Sequence, residues 1–123
     1  MNIASILENQ EIEKRIAITP EIAKKYISFG FEVSLSENYG IHLGVKDEEY
    51  RELGVSILKD EKEIISNADI IVQLGLFDDD KSSLLKENQT FIGVLNPYDN
   101  KDRIDNLVKN NINIFSLELL PRI

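Results

Sequence analysis

The chain has 123 residues with 14 basic and 22 acidic side chains, so its formal net charge is −8. That length suits one domain with an ordinary hydrophobic core, and the share of hydrophobic residues, 42%, is typical of soluble globular proteins. The acidic balance disfavours nucleic acid and anionic lipid as partners, because both present charge of the same sign. The absence of cysteine and the presence of one histidine exclude disulfides, thiolate chemistry and metal sites that need two imidazoles.

The N-terminal part of the chain predicts a strand, a helix and a second strand. Residues 3–7 are apolar and β-rich, without the basic region that would precede a secretory signal. Thr19 and Pro20 then have the residue types that cap and begin a helix, and Gly30 supplies its end. The second strand is predicted over 31–35, where apolar residues alternate with polar ones.

The rest of the chain continues the alternation of helices and strands. Asp47 is predicted to cap a short helix that ends near Gly54, and Asp60 begins another helix that reaches about Asn67. A short helix containing Leu84 and Leu85 follows an acidic run, and the last helix opens at Asp99 and Asp102. The remaining predicted strands cover residues 55–58, 69–74, 90–95 and 112–117.

These elements predict an α/β fold with an open parallel sheet. The apolar run at 69–74 does not alternate, which favours a strand covered on both faces. Strands separated by helices are joined by right-handed crossovers in such sheets. No apolar run exceeds about five residues, far too short for a membrane-spanning helix.

Polar residues follow several of the predicted strands, at the edge where parallel sheets bind ligands. Arg15 lies after the first strand, Gln73 near the end of the fourth, and Asn96 and Tyr98 directly after the fifth. Glu118 and Arg122 follow the last strand. We therefore expect these side chains on one rim of the sheet.

Each of these residues also has a purely structural interpretation. Arg15 could bind a carboxylate or phosphate through its planar donors, or pair with Glu11 or Glu13 on the surface. Gln73 could orient a polar ligand, or be a buried amide bonded to neighbouring backbone. Asn96 and Tyr98 could form a binding turn, although Asn-Pro is common in structural turns and the tyrosine could belong to the core.

Sequence motifs for nucleotide binding and catalysis are missing. The chain has no G-x-G-x-x-G, no phosphate-binding G-x-x-x-x-G-K-[ST], and no serine in a nucleophile elbow. Nothing in the spacing of its carboxylates demands a metal site. The residues on their own thus predict an α/β domain with a polar rim and leave its function open.

Several segments resemble alanine dehydrogenases and the alpha subunit of proton-translocating nicotinamide nucleotide transhydrogenase. Residues 13–20, EKRIAITP, resemble the family's E-x-R-V-A-x-T-P opening, and residues 30–33, GFEV, resemble its G-[FH]-x-V strand entry. Weaker matches at 47–55 and 67–70 occur in the same order as in the family. Residues 117–123, LELLPRI, resemble the transhydrogenase segment that continues as S-R-A-Q-S-x-D.

Two departures favour the transhydrogenase branch. The resemblance places Gln73 where alanine dehydrogenases have a lysine that binds the substrate carboxylate, and Asn96 where they have a catalytic histidine. A neutral amide supplies neither the charge nor the proton transfer that those roles need. Gln73 also departs from the transhydrogenase branch, where lysine is common. Residues 95–98 and the ending at 121–123 resemble transhydrogenase.

The resemblance implies a Rossmann- or flavodoxin-like three-layer sandwich without its own glycine-rich dinucleotide fingerprint. Residues 1–123 would form the N-terminal subdomain of a longer two-subdomain chain, which binds NAD(H) mainly in its second subdomain. Arg122 would lie near the nicotinamide, with Arg15, Gln73, Asn96 and Tyr98 lining the cleft and no metal involved. Residues 1–123 alone would be inactive, because the phosphate loop and the rest of the nicotinamide loop would lie downstream.

The implied partners are the second subdomain, the transhydrogenase beta subunit and a second alpha subunit. The implied reaction is hydride transfer from NADH to NADP⁺ coupled to proton translocation, on the cytoplasmic side of the inner membrane. Two alternatives remain open at this point. One is an alanine- or saccharopine-type amino-acid dehydrogenase, and the other is a stand-alone α/β module that binds a ligand or a protein.

Overall fold

The computed structural model describes residues 1–11 and 13–117 and contains a parallel β-sheet. The sheet has six strands in the order β3-β2-β1-β4-β5-β6, and every neighbouring pair is parallel. This confirms the predicted open parallel sheet. The strands are β1 (Asn2–Ser5), β2 (Glu32–Ser36), β3 (Ser56–Leu58), β4 (Ile70–Val72), β5 (Thr90–Gly93) and β6 (Asn113–Ser116).

Helices cover the sheet from two sides and produce three layers. Two separate hydrophobic clusters fill the spaces between the layers. One joins β1–β3 to the first two helices through residues such as Ala23 and Tyr50, and the other joins β1, β4 and β5 to later helices through Ile64 and Leu107. The helices are α1 (Pro20–Ser28), α2 (Asp47–Glu52), α3 (Glu61–Asn67), α4 (Asp79–Ser82) and α5 (Lys101–Lys109), and a 3-10 turn covers Ile41–Leu43.

The first helix has the ends that its sequence predicts. The Thr19 hydroxyl accepts a hydrogen bond from the Ile22 N–H at 3.3 Å, and Pro20 occupies the first helical position. Gly30 follows the helix with φ +94°, a left-handed conformation that costs glycine little.

Two predicted caps are displaced by one or more residues. Asp47 was expected to cap α2, but it is the first residue of that helix and Lys46 is the cap. The Asp47 carboxylate instead accepts the Asn38 N–H with both oxygens at 3.1 Å, which ties the helix to the end of β2. The α5 cap is Asn100, and Asp102 lies in the first turn of the helix.

The prediction that a helix contains Leu84 and Leu85 is wrong. Helix α4 ends at Ser82, and the next two residues continue in turns closed by hydrogen bonds from Leu84 N–H to Lys81 O and from Leu85 N–H to Ser82 O. Both leucines still pack against a core cluster. Tight turns place these two consecutive side chains on the core without a further helical turn.

Three strands end earlier than the sequence predicts. Strands β1, β4 and β5 end at Ser5, Val72 and Gly93, one or two residues before the predicted limits. A Cβ on Gly93 would lie 2.3 Å from the Gln73 carbonyl oxygen, so only glycine allows this close backbone approach. Beyond the end of β4, a side chain takes over the pairing with the neighbouring segment.

None of the helices within residues 1–11 and 13–117 is long and apolar enough to cross a membrane. The same residues contain no group of three or more histidine and acidic side chains placed to hold a metal ion.

Candidate functional site at the carboxyl edge of the sheet

The side chain of Gln73 extends the sheet beyond the end of its strand. Its Oε1 accepts the Ile6 N–H at 2.7 Å, and its Nε2 donates to the Ile6 carbonyl oxygen at 3.1 Å. The amide therefore pairs with Ile6 as a neighbouring backbone would, which explains why β1 and β4 end early. Two further bonds, from the Ser5 hydroxyl at 2.8 Å and to the Glu8 carboxylate at 2.7 Å, complete its capacity. Gln73 is 3% exposed, so the structure contains the buried amide of the two sequence interpretations.

A buried hydroxyl relay leads from Gln73 to the neighbouring strand. The Tyr39 Oη accepts the N–H groups of Ala17 and Ile18, both at 3.1 Å. It lies 2.8 Å from the Ser5 Oγ, and Ser5 donates to Gln73. Tyr39 must therefore donate its proton to Ser5, because the serine proton is already used. Burial raises the pKa of Tyr39, which keeps this hydroxyl protonated as the relay requires.

Glu8 closes the network on the solvent side. Its carboxylate accepts hydrogen bonds from the Gly75 N–H at 3.0 Å, the Leu74 N–H at 3.3 Å and the Gln73 Nε2 at 2.7 Å. Burial raises the pKa of Glu8, although these three donors act in the opposite direction. The carboxylate thus fixes the first residues after β4 to the first residues after β1.

A cleft of about 260 Å³ adjoins this network. It lies between the segments that follow β1 and β4, the two central strands from which the chain winds in opposite directions. Ligands of open α/β sheets bind at this crossing point, outside the carboxyl ends of the strands. A larger cleft of about 690 Å³ lies elsewhere, where α5 ends and β6 begins, at the opposite edge of the sheet. We regard the smaller cleft as the candidate site because of its position. Its lining includes Ile6, Glu8, Gln73, Phe77, Lys81 and Arg103.

Arg15 lies on the exposed loop between β1 and α1. Its guanidinium binds Glu13 with two contacts, Nη2 to Oε1 at 2.8 Å and Nε to Oε2 at 3.0 Å. These hydrogen bonds lower the pKa of Glu13 to about 2. His42 holds the same loop by a 2.7 Å contact between its Nε2 and the Lys14 carbonyl oxygen. The surface pairing with Glu13, one of the two sequence interpretations, is what the structure contains.

Asn96 and Tyr98 form a turn after β5. Asn96 adopts φ +48°, and its Nδ2 donates to the Asp99 carboxylate at 2.8 Å. The Asn96 carbonyl oxygen accepts the N–H groups of Asp99 and Asn100, so the predicted Asn-Pro turn is present. Tyr98 is 88% exposed and does not belong to the core.

The structure therefore brings some of the predicted residues together but not all. Gln73 lies in the candidate cleft, whereas Arg15 is exposed on a loop and Tyr98 points to solvent. Arg122 and Glu118 lie outside the described residues.

Three contributors to the network were missed in the sequence. Ser5 interrupts an otherwise apolar strand, and a buried polar residue in that position indicates a hydrogen-bond partner. Glu8 and Tyr39 carry no such signal, because a carboxylate after a strand and a tyrosine in a loop are common at surfaces. Only the folded chain shows that all three converge on Gln73.

The described part of the crevice does not fit the phosphates of a dinucleotide. Backbone N–H groups at the crossing point are the donors that bind pyrophosphate in nucleotide-binding sheets of this type. Here the Leu74 and Gly75 N–H groups bind the Glu8 carboxylate. A second anion would lose these donors and meet a like charge. The chain's own carboxylate thus takes the place of a bound anion.

The strand order and the helices on both faces define the doubly wound α/β class, to which dinucleotide-binding domains belong. Within that class, the chain belongs to the alanine dehydrogenase/PNT N-terminal domain family, which matches residues 6–123. The match confirms the resemblance seen in the sequence motifs.

Relatives from both branches of the family are similar to this chain. It is 39% identical over 127 residues to an NAD(P) transhydrogenase subunit alpha protein of Rickettsia prowazekii, covering 100% of this chain and 33% of that protein. It is 25% identical over 120 residues to alanine dehydrogenase 1 of Staphylococcus aureus, covering 98% of this chain and 32% of that protein. The crystal structure of transhydrogenase from Sinorhizobium meliloti superposes with a TM-score of 0.89 at 27% identity, covering 98% of this chain and 36% of that one.

These comparisons favour the transhydrogenase branch over the alanine dehydrogenase branch, since the identity is higher over the whole chain. The chain spans about a third of the length of the curated relatives that it matches.

Proposed function

We propose that this chain is the N-terminal part of an NAD(P) transhydrogenase alpha subunit, and that it forms one wall of the nucleotide cleft. The family match and the 39% identity to a transhydrogenase alpha subunit support the assignment. The observation that specifies the role is the Glu8 carboxylate on the Leu74 and Gly75 N–H groups. A crevice already filled by its own carboxylate suits a wall, and the NAD(H) phosphates would bind in a second subdomain.

The nicotinamide supplies the hydride chemistry of such an enzyme, between NADH and NADP⁺. This part of the chain would contribute position and shape. The network of Gln73, Ser5 and Tyr39 holds the segments after three strands in fixed relative positions. Arg122 would be a positioning residue near the nicotinamide, with Arg15, Asn96 and Tyr98 along the same wall. A group that orients the ring without exchanging protons needs no perturbed pKa.

The assembly that we propose has further parts. A second subdomain of the same polypeptide would hold NAD(H), the beta subunit would hold NADP(H), and two alpha subunits would associate. The wall would face the cytoplasm beside the inner membrane, and proton translocation would belong to other segments. By itself, the part described here would catalyse no hydride transfer.

An amino-acid dehydrogenase of the same family is the alternative. It would need a cation or an available donor at position 73 to bind a substrate carboxylate. The Gln73 amide has both donors engaged, with Ile6 and Glu8, and is buried. Pyruvate-dependent oxidation of NADH by the complete polypeptide would support this alternative, and its absence is expected.

Arg122→Ala in the complete alpha polypeptide, assembled with its beta subunit, tests the proposal. Hydride transfer between NADH and an NADP⁺ analogue should slow by more than the loss in NADH affinity, because the ring would be held less well in the reactive geometry. Arg51→Ala is the matched control, since Arg51 forms an exposed pair with Glu48 on α2. Unchanged turnover in Arg122→Ala would contradict the positioning role, and absence of any hydride transfer in the wild-type assembly would contradict the proposal.

A further inference from the structure

One face of the sheet changes from covered to exposed between β4 and β6. Val72 pairs with Ile92 of β5, and Ile92 pairs with Phe115 of β6, so the three side chains lie on the same face. Val72 packs in the cluster formed with α1 and α2. Neither Ile92 nor Phe115 belongs to either hydrophobic cluster of the described residues. The helical layer therefore covers β1–β3 and reaches β4 but does not continue over β5 and β6.

The exposed part of this face is apolar. Phe115 is 52% exposed, and Val94 and Leu117, which follow the last registered pair of β5 and β6, are 41% and 45% exposed. The opposite face of the same strands is buried, with Phe91 packed in the cluster that contains Leu107 of α5. We call the face formed by Ile92, Val94, Phe115 and Leu117 the β5–β6 face. Parallel sheets are normally covered on both faces, so a layer is missing there.

The dimensions of the β5–β6 face match one helix. Two strands about 4.8 Å apart, with their side chains, form a strip about 10 Å wide, and four residues at about 3.3 Å each give a length of about 13 Å. An α-helix is about 10–12 Å across and rises about 1.5 Å per residue, so about nine residues would cover the strip. The strip, about 130 Å² in outline, is small beside the roughly 800 Å² per partner of a stable protein interface.

We propose that an amphipathic helix from the polypeptide beyond residue 123 packs on the β5–β6 face. The proposal rests on the proposed function, since it requires a chain as long as the transhydrogenase relatives, of which this one spans 33%. Leu117, the last described residue, is itself on this face, so the polypeptide that follows starts beside it. A tethered helix docks at a high effective concentration, which a small apolar strip requires and a second copy of the chain would lack.

Single cysteines can test the proposal because the chain has no native cysteine. Phe115→Cys probes the β5–β6 face in the complete alpha polypeptide. Val108→Cys is the matched control, since Val108 is 55% exposed and lies on α5, which packs on the other side of the sheet. Phe29→Cys, at the exposed end of α1, is a second reference, and the faster of the two reference rates is taken as that of a free thiol. The rate of maleimide labelling is measured for each variant at two protein concentrations.

We expect the Phe115→Cys thiol to react at least about tenfold more slowly than the reference, because labelling must wait for the helix to open. A smaller difference would overturn the inference. Protection that is lost on dilution would show a second copy on this face and would also overturn it. Hydride transfer by each variant, measured before labelling, keeps the two proposals apart: an active polypeptide with a reactive Phe115→Cys thiol would refute the docked helix and leave the proposed function standing. A reading frame that stops at Ile123 would refute both.

Discussion

Replacing Tyr39 by phenylalanine removes one buried hydroxyl that joins three segments of the chain. The ring stays and still packs edge-on against Tyr50, at a centroid distance of 6.1 Å. What is lost are the two hydrogen bonds accepted from Ala17 and Ile18 and the one given to Ser5. The variant therefore isolates the hydrogen-bond network from the packing of the core.

The size of the effect follows from the donors that would remain unsatisfied. The Ile18 N–H is buried and the Ala17 N–H partly buried, and an unsatisfied buried polar group costs about 1–3 kcal/mol. Tyr39→Phe should therefore lower the free energy of unfolding by about 2–5 kcal/mol. That loss is a large fraction of the roughly 5–15 kcal/mol that stabilises a domain.

Urea denaturation of three variants, followed by circular dichroism, measures this loss. Tyr50→Phe removes one hydrogen bond, from the Tyr50 hydroxyl to the Ile18 carbonyl oxygen at 2.8 Å, so its loss should be about 1 kcal/mol. Tyr98→Phe makes the same chemical change at an exposed site and should be neutral. A Tyr39→Phe chain as stable as Tyr98→Phe would refute the claim that the network stabilises the carboxyl edge.

Two further predictions concern the same edge. Gly93→Ala should destabilise the chain by about 1–3 kcal/mol, because its Cβ would overlap the Gln73 carbonyl oxygen, whereas Gly75→Ala should be tolerated because its nearest neighbour, the Glu8 Oε1, is 3.5 Å away. Thermal unfolding of both variants checks this, and equal losses would contradict it. Glu8 has a pKa raised above its ordinary value of 4.5, so the folded state binds this proton more tightly and Glu8 lowers stability as the pH rises from 4.5 through the raised pKa. Unfolding measured from pH 4 to pH 7 should thus shift in favour of Glu8→Gln as the pH rises. Glu13→Gln should show no such slope above pH 4.5, since the pKa of Glu13 is lowered to about 2, and matching slopes would argue against the burial of Glu8.

The periodicity of the sequence was sufficient to predict the layers and the parallel sheet. Apolar runs without alternation, separated by helices with recognisable caps such as Thr19 and Pro20, leave few other arrangements. The strand ends were less predictable, because apolarity continues past the point where the ladder stops. At Ile6 the backbone pairs with the Gln73 side chain, and no local pattern distinguishes that pairing from another strand residue.

The site was predicted less well than the fold for a similar reason. Its position followed from topology, since the carboxyl ends of β1 and β4 meet at the crossing point. The partners of Gln73 did not, because Ser5 and Glu8 are 68 and 65 positions away from it in the sequence and Tyr39 reaches it only through Ser5. Contacts of that separation depend on the tertiary fold rather than on local propensity. The family resemblance identified residue types at single positions but could not show that the amide at position 73 would be fully engaged.

Binding of NADH measured by titration calorimetry tests the central claim most directly. The claim is that the Glu8 carboxylate fills the crevice of this wall, so that the dinucleotide phosphates must bind elsewhere. We predict no detectable heat of binding for residues 1–123, and clear binding for the complete alpha polypeptide under the same conditions. Micromolar affinity of residues 1–123 for NADH would contradict the claim.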